Sequence, residues 1–87
     1  MDYSLAAIGS ITTAVKLKKN IMRTSGITAS VVHTPSDINK GGCSYSLRFK
    51  QEYIPIVRQC ADNSHIVIKG LFLEKQNGKE KEYHAVS

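Results

Sequence analysis

Short apolar runs and amphipathic segments follow one another in the order strand, helix, strand, strand, helix, strand. This order predicts an α+β fold, a ferredoxin-like βαββαβ sandwich with a four-stranded antiparallel sheet and two helices on one face. Three observations carry the prediction. The run from Tyr3 to Ile8 is almost unbroken in its apolar character. Apolar residues recur at helical spacing between Ser10 and Gly26. A turn-rich stretch, Thr34 to Gly42, separates two runs with strand character. The expected domain is 1–74, with 75–87 a polar, flexible tail.

Each element has a local reason. Tyr3-Ser4-Leu5-Ala6-Ala7-Ile8 reads as a central strand, closed by Gly9. Ser10 offers a hydroxyl to cap a helix whose inner stripe is Ile11, Ala14, Val15, Ile21 and Met22, with Leu17 or the stem of Lys18 between turns. Lys16, Lys19 and Arg23 fall mostly on the wet face, and Gly26 is placed for a left-handed cap. Thr28 to His33, with three β-branched residues, is a second strand near an edge. Ser44 to Phe49 alternates small polar and larger side chains as a third strand. Gln51 to Ala61 is a second helix with Ile54, Val57, Cys60 and Ala61 inward. Pro55 is comfortable only in a first turn, so that helix starts near Tyr53 or is irregular there. Ile66 to Leu73 is the fourth strand, with Gly70 marking a bulge.

Composition limits the function classes. A chain of 87 residues buries only about 60% of its unfolded surface, which is compatible with a homodimer. No apolar run approaches the roughly 20 residues needed to span a bilayer, no secretory signal is recognisable, and the expected location is the cytoplasm. Cys43 and Cys60 do not form a disulfide framework, and His33, His65 and His84 lack the spacing of a zinc site, so neither metal nor cofactor is expected. The formal net charge of +5 speaks to encounter and solubility rather than to fold.

The chemistry-bearing residue is Cys43. Pro35, Asp37, Asn39, Gly41 and Gly42 bend the chain before it, and a strand follows it, so the thiol stands where a loop becomes rigid structure. Only a thiolate attacks an electrophile or carries a transferred sulfur, and its surroundings set how much thiolate exists. In a ferredoxin-like sheet the third strand runs against the first, which puts Cys43 beside Gly9 and Ser10 at the positive end of helix one. His33 and His65 fall on the same rim. The expected site is therefore Cys43 as the reactive group, with Ser10, His33, Thr34, Ser36 and His65 around it. The dull readings stay open: Cys43 as an incidental loop thiol or a metal or redox sensor, His33 and His65 as strand-end residues, Arg48 as an ion-pair partner, and Cys60 as a small buried hydrophobe.

Thr34-Pro35, Ile38, Gly42-Cys43 and Leu47-Arg48-Phe49 resemble the "putative selenium and sulfur carrier protein-like" family of small bacterial proteins, a likeness running from about Leu5 to Leu73. The resemblance implies a cysteine that holds sulfur or selenium as a persulfide or selenopersulfide and hands it on by thiol exchange. It also implies partner enzymes as donor and acceptor and no independent catalysis. The alternative is a non-catalytic ferredoxin-like binding module for a small regulatory molecule or RNA. RNA and other nucleic acid are not expected, because Ser44 to Phe49 lacks the basic-Gly-aromatic pattern of RNA-reading strands. An acylphosphatase-type enzyme would need an arginine-bearing phosphate loop after the first strand, and Ile8-Gly9-Ser10-Ile11 has none.

Overall fold

The structure is a computed structural model that describes residues 2–39 and 44–86. The elements are β1 (Tyr3–Ala7), α1 (Ile11–Ser25), β2 (Ser30–His33), β3 (Tyr45–Lys50), a 3-10 turn at Gln51–Tyr53, α2 (Ile54–Asn63), β4 (Gly70–Asn77) and β5 (Glu80–Ala85). Among the described residues the strands form one sheet in the order β2-β3-β1-β4-β5, with every pairing antiparallel. The fold is α+β, as expected, but the sheet has five strands rather than four.

The apolar first run becomes an interior strand. Ala6 lies opposite Leu47 on one side and Leu71 on the other, so the three share a face. That face is covered by Ala14, Leu17 and Ile21 of α1 and by Val57, Cys60 and Ala61 of α2, which join it in one apolar core. Ser10 caps α1 as expected, and Gly26, at φ 69°, returns its N–H to the Met22 carbonyl at 2.9 Å. The inner stripe of α1 is narrower than its sequence pattern. Ile11 and Met22 are 50% and 45% exposed, because each sits well round the helix from the Ala14–Leu17–Ile21 line and, among the described residues, nothing covers that flank. Pro55 falls in the first turn of α2, after the 3-10 turn, which is the irregular start it requires.

Two expectations are corrected at the C-terminal end. Residues 66–69 do not form a strand, although the Lys69 N–H still donates to the Ala7 carbonyl at 2.8 Å; β4 starts at Gly70 and runs on to Asn77. Gly70 is not a bulge, since its register against Ala7 is continuous with that of Leu71 against Ala6. Its missing side chain makes room for the Phe72 ring, which a Cβ there would meet at 2.8 Å. The second correction concerns the expected polar tail, residues 75–87, which supplies the end of β4 and all of β5. Gly78 takes the positive φ, 63°, that a two-residue hairpin needs at its first loop position, and Asn77 pairs with Glu80.

The face away from the helices is polar at its centre. Arg48 of β3 reaches past β1 to Glu74 of β4, with Nε to Oε1 at 3.3 Å and Nη2 to Oε2 at 2.9 Å, while its guanidinium lies 3.7 Å from the centre of the Tyr3 ring. Leu5, the register partner of both Arg48 and Phe72, is buried beneath this cluster.

Candidate functional site

The site is built where β1 hands over to α1. The backbone N–H groups of Ile8 and Gly9 both donate to the Tyr45 carbonyl, at 2.9 and 3.3 Å, which fixes the start of β3 against the N-terminus of α1. Gly9 has φ 111°, a conformation that calls for glycine, and the side chain of Lys69 lies against it, with Nζ 3.1 Å from where a Cβ would stand. Ser10 accepts from the Thr13 N–H at 3.2 Å and donates to Thr13 Oγ1 at 2.8 Å. Its hydroxyl is engaged in capping the helix.

His65 approaches from the end of α2. Its N–H donates to the Asp62 carbonyl at 3.2 Å and the Ile66 N–H to the Ala61 carbonyl at 2.9 Å, the bonding of a Schellman cap. His65 therefore occupies the left-handed position that glycine usually takes, with φ 57°. Ser10 and His65 come together in an open cleft of about 540 Å³, whose walls include Gly9, Thr13, Lys16 and Lys69.

The other expected residues lie across the strand ends. His33, at the end of β2, places its ring 4.9 Å from that of Tyr45, tilted by 35°. Thr34 donates its N–H to the Ser44 carbonyl at 2.9 Å, and its buried hydroxyl meets Ser46 Oγ at 2.7 Å. Since Ser46 opposes Ala7 rather than Ala6, that hydroxyl pair belongs to the sheet face away from the helices. Ser36 is exposed in the turn closed by Ile38 and Asn39 N–H groups on the Pro35 carbonyl, at 3.1 and 3.0 Å. Cys43 lies outside the described residues. Neither His33, Thr34 nor Ser36 lines the cleft that holds Ser10 and His65; Tyr45 joins the two groups, through its ring on one side and its carbonyl on the other.

Sequence reasoning missed Lys69, Lys16 and Tyr45. Lys69 follows a run that reads as a buried strand, Ile66-Val67-Ile68; because β4 starts only at Gly70, Lys69 stands at the strand's end and on the rim. Cys60 is where the periodicity of α2 put it, buried in the core with Sγ 4.0 Å from Thr24 Oγ1. Across the sheet, the Arg48 guanidinium, by hydrogen bonding first and by charge second, holds the Glu74 carboxyl below the usual glutamate range against the opposing effect of burial. Burial and then the Glu74 charge push the nearby Tyr83 hydroxyl up.

Two helices over one face of an antiparallel sheet, with a cleft at the helix N-terminus rimmed by lysines, define a small α+β protein with a basic rim. Among the described residues no helix is long and apolar enough to cross a membrane. Residues 3–73 match the family described as "Putative Se/S carrier protein-like", and the chain belongs to that family. No curated protein and no solved structure matches it. The family match ends at Leu73, so the β4–β5 hairpin from Glu74 onward lies beyond it.

Proposed function

We propose that this protein carries sulfur or selenium on Cys43, as a persulfide or selenopersulfide, and passes it on by thiol exchange. Membership of the carrier family is the observation that carries the reading. The described residues nearest in sequence support it. Ser44, bonded to Cys43, is tied by its carbonyl to Thr34, and Tyr45 is tied to Ile8 and Gly9, so the chain resumes beside the positive end of α1. Lys16 and Lys69 add cationic charge to that rim. Such surroundings favour a thiolate and the persulfide anion that replaces it. The same proposal takes the β1–β4 part of the sheet as ferredoxin-like and the location as cytoplasmic, with donor and acceptor enzymes as partners and the homodimer as a permitted assembly.

The exchange needs no oxidant. The Cys43 thiolate attacks the outer sulfur of a donor enzyme's cysteine persulfide, a new S–S bond forms at Cys43, and the donor's own S–S bond breaks to leave its thiolate with the electron pair. Delivery repeats the step with the acceptor's thiolate as the attacking group. The test is intact-mass spectrometry after incubation with a cysteine desulfurase and cysteine. The wild-type chain gains one sulfur atom and loses it to an added acceptor thiol, and Cys43→Ser gains none. A wild-type mass that changes neither with the desulfurase nor with a small-molecule persulfide such as glutathione persulfide removes the carrier reading.

A further inference from the structure

Among the described residues, the cations of α1 have no carboxylate to answer them. Lys16, Lys18, Lys19 and Arg23 stand on a helix without Asp or Glu. Among the described residues the carboxylate contacts of basic side chains are Arg48 with Glu74 and His84 with Glu82, and neither involves α1. Lys16, Lys19 and Arg23, spaced by three and four residues, form one row. Beside that row runs an apolar flank of exposed Ile11 and Met22 with half-buried Val15 between them, also at helical spacing. Between Met22 and the start of β2 lies an indentation of about 240 Å³ whose accessible wall is apolar, formed with Ile27, Ala29 and the stems of Lys18, Lys19 and Arg23.

An apolar seat with a basic rim is the complement of an acidic protein surface that carries a projecting apolar side chain. A nucleic acid would engage the row of cations and leave Met22 and Ile11 without a partner. A bilayer calls for a wide apolar face, whereas the wider apolar stripe of α1 already faces the core. We infer that this flank of α1 is the docking surface for the protein that loads Cys43, recognised through an acidic patch around an apolar anchor. The inference rests on the carrier reading. Met22 lies about 18 Å along the helix from Ser10, at 1.5 Å per residue, so a partner seated there extends to the rim within the span of an ordinary interface.

The experiment compares two sulfur sources on the wild-type chain and on Lys19→Glu/Arg23→Glu, with Lys19→Gln/Arg23→Gln as a milder pair whose fold is checked by circular dichroism. Loading is followed by mass with a cysteine desulfurase plus cysteine, and separately with glutathione persulfide, which needs no docking. The expected result is loading by the desulfurase slowed about tenfold or more in the Glu variant and less in the Gln variant, steeply reduced by salt in wild type, with glutathione persulfide acting equally on all. Equal desulfurase rates in wild type and variants overturn the docking inference, as does loading of wild type by glutathione persulfide but not by the desulfurase; both outcomes leave the carrier reading standing. Loss of binding to anionic vesicles or duplex DNA with desulfurase loading unchanged overturns it in favour of those partners. No loading of wild type from either source removes the carrier reading itself and the docking inference with it.

Discussion

Arg48 and Glu74 meet across the intervening strand β1, in a two-point ion pair at 3.3 and 2.9 Å on the sheet face that the helices leave open. Glu74 is nearly buried and Arg48 is about one third exposed, so this pair is better shielded than a surface bridge. Removing one partner would leave the other's charge poorly solvated.

Glu74→Gln is therefore expected to lower stability at neutral pH by about 1.5–3 kcal/mol at most, the range for hydrogen bonds to charged groups. Because the folded Glu74 carboxyl titrates below its usual value of 4.5, the pair's contribution is fully present above that value. It is lost as pH falls through the depressed folded value, since the unfolded chain takes up the proton first. Urea denaturation across this acid range should show wild type and Glu74→Gln converging as pH falls. A constant gap between them would contradict the account.

His65→Gly should raise stability by about 1 kcal/mol, because the left-handed conformation that costs histidine is free to glycine. Thermal or urea unfolding reads this directly. A loss of stability would mean that the His65 side chain makes contacts worth more than its backbone costs.

Thr34 and Ser46 satisfy each other's hydroxyls in a buried pair. Thr34→Val strands the Ser46 hydroxyl and is expected to cost about 1–3 kcal/mol, whereas Thr34→Val/Ser46→Ala should recover part of it. A double-mutant cycle with no coupling would show that the pair contributes nothing beyond packing.

Ser4 presents the opposite case. Its Oγ is buried on the core side and meets no hydrogen-bond partner among the described residues. Ser4→Ala should leave stability unchanged or raise it by about 1 kcal/mol, because it removes an unpaired hydroxyl without opening a sizeable cavity. A fall in the urea midpoint would point to a partner for that oxygen.

The parts of the fold legible in the sequence were those with a local cause. Ser10 and Gly26 bound α1 by capping chemistry, Pro55 fixes the irregular start of α2, and the apolar run of β1 marks an interior strand. The hairpin was hidden because Glu80 to Ala85 opens with three charged residues and is exposed except at Tyr83, leaving no apolar alternation to read. The Asn77-Gly78 pair was its one signal, and it stands beyond the apolar pattern of the core. Ile66 to Ile68 misled for the converse reason: a short apolar run looks like a strand whether or not it pairs. At the site, the approach of β3 to Gly9 followed from sheet order, whereas His65 was expected on the rim as the residue just before the fourth strand, which in fact starts at Gly70; it reaches the cleft as the cap of α2. Lys69 required knowing where β4 begins. Thr34 carries no mark in the sequence of being tied to Ser46 on the other face.

The proposed carrier role is tested most directly by asking whether a donor enzyme places sulfur on either of the two cysteines, and on which. Cys60 is buried between the helices, so only Cys43 is expected to react. The measurement is a peptide map of the chain after loading by a cysteine desulfurase, with persulfides trapped by alkylation before digestion. The account predicts the added sulfur on the peptide containing Cys43 and none on that containing Cys60. Sulfur on Cys60, or shared equally between the two, would contradict it.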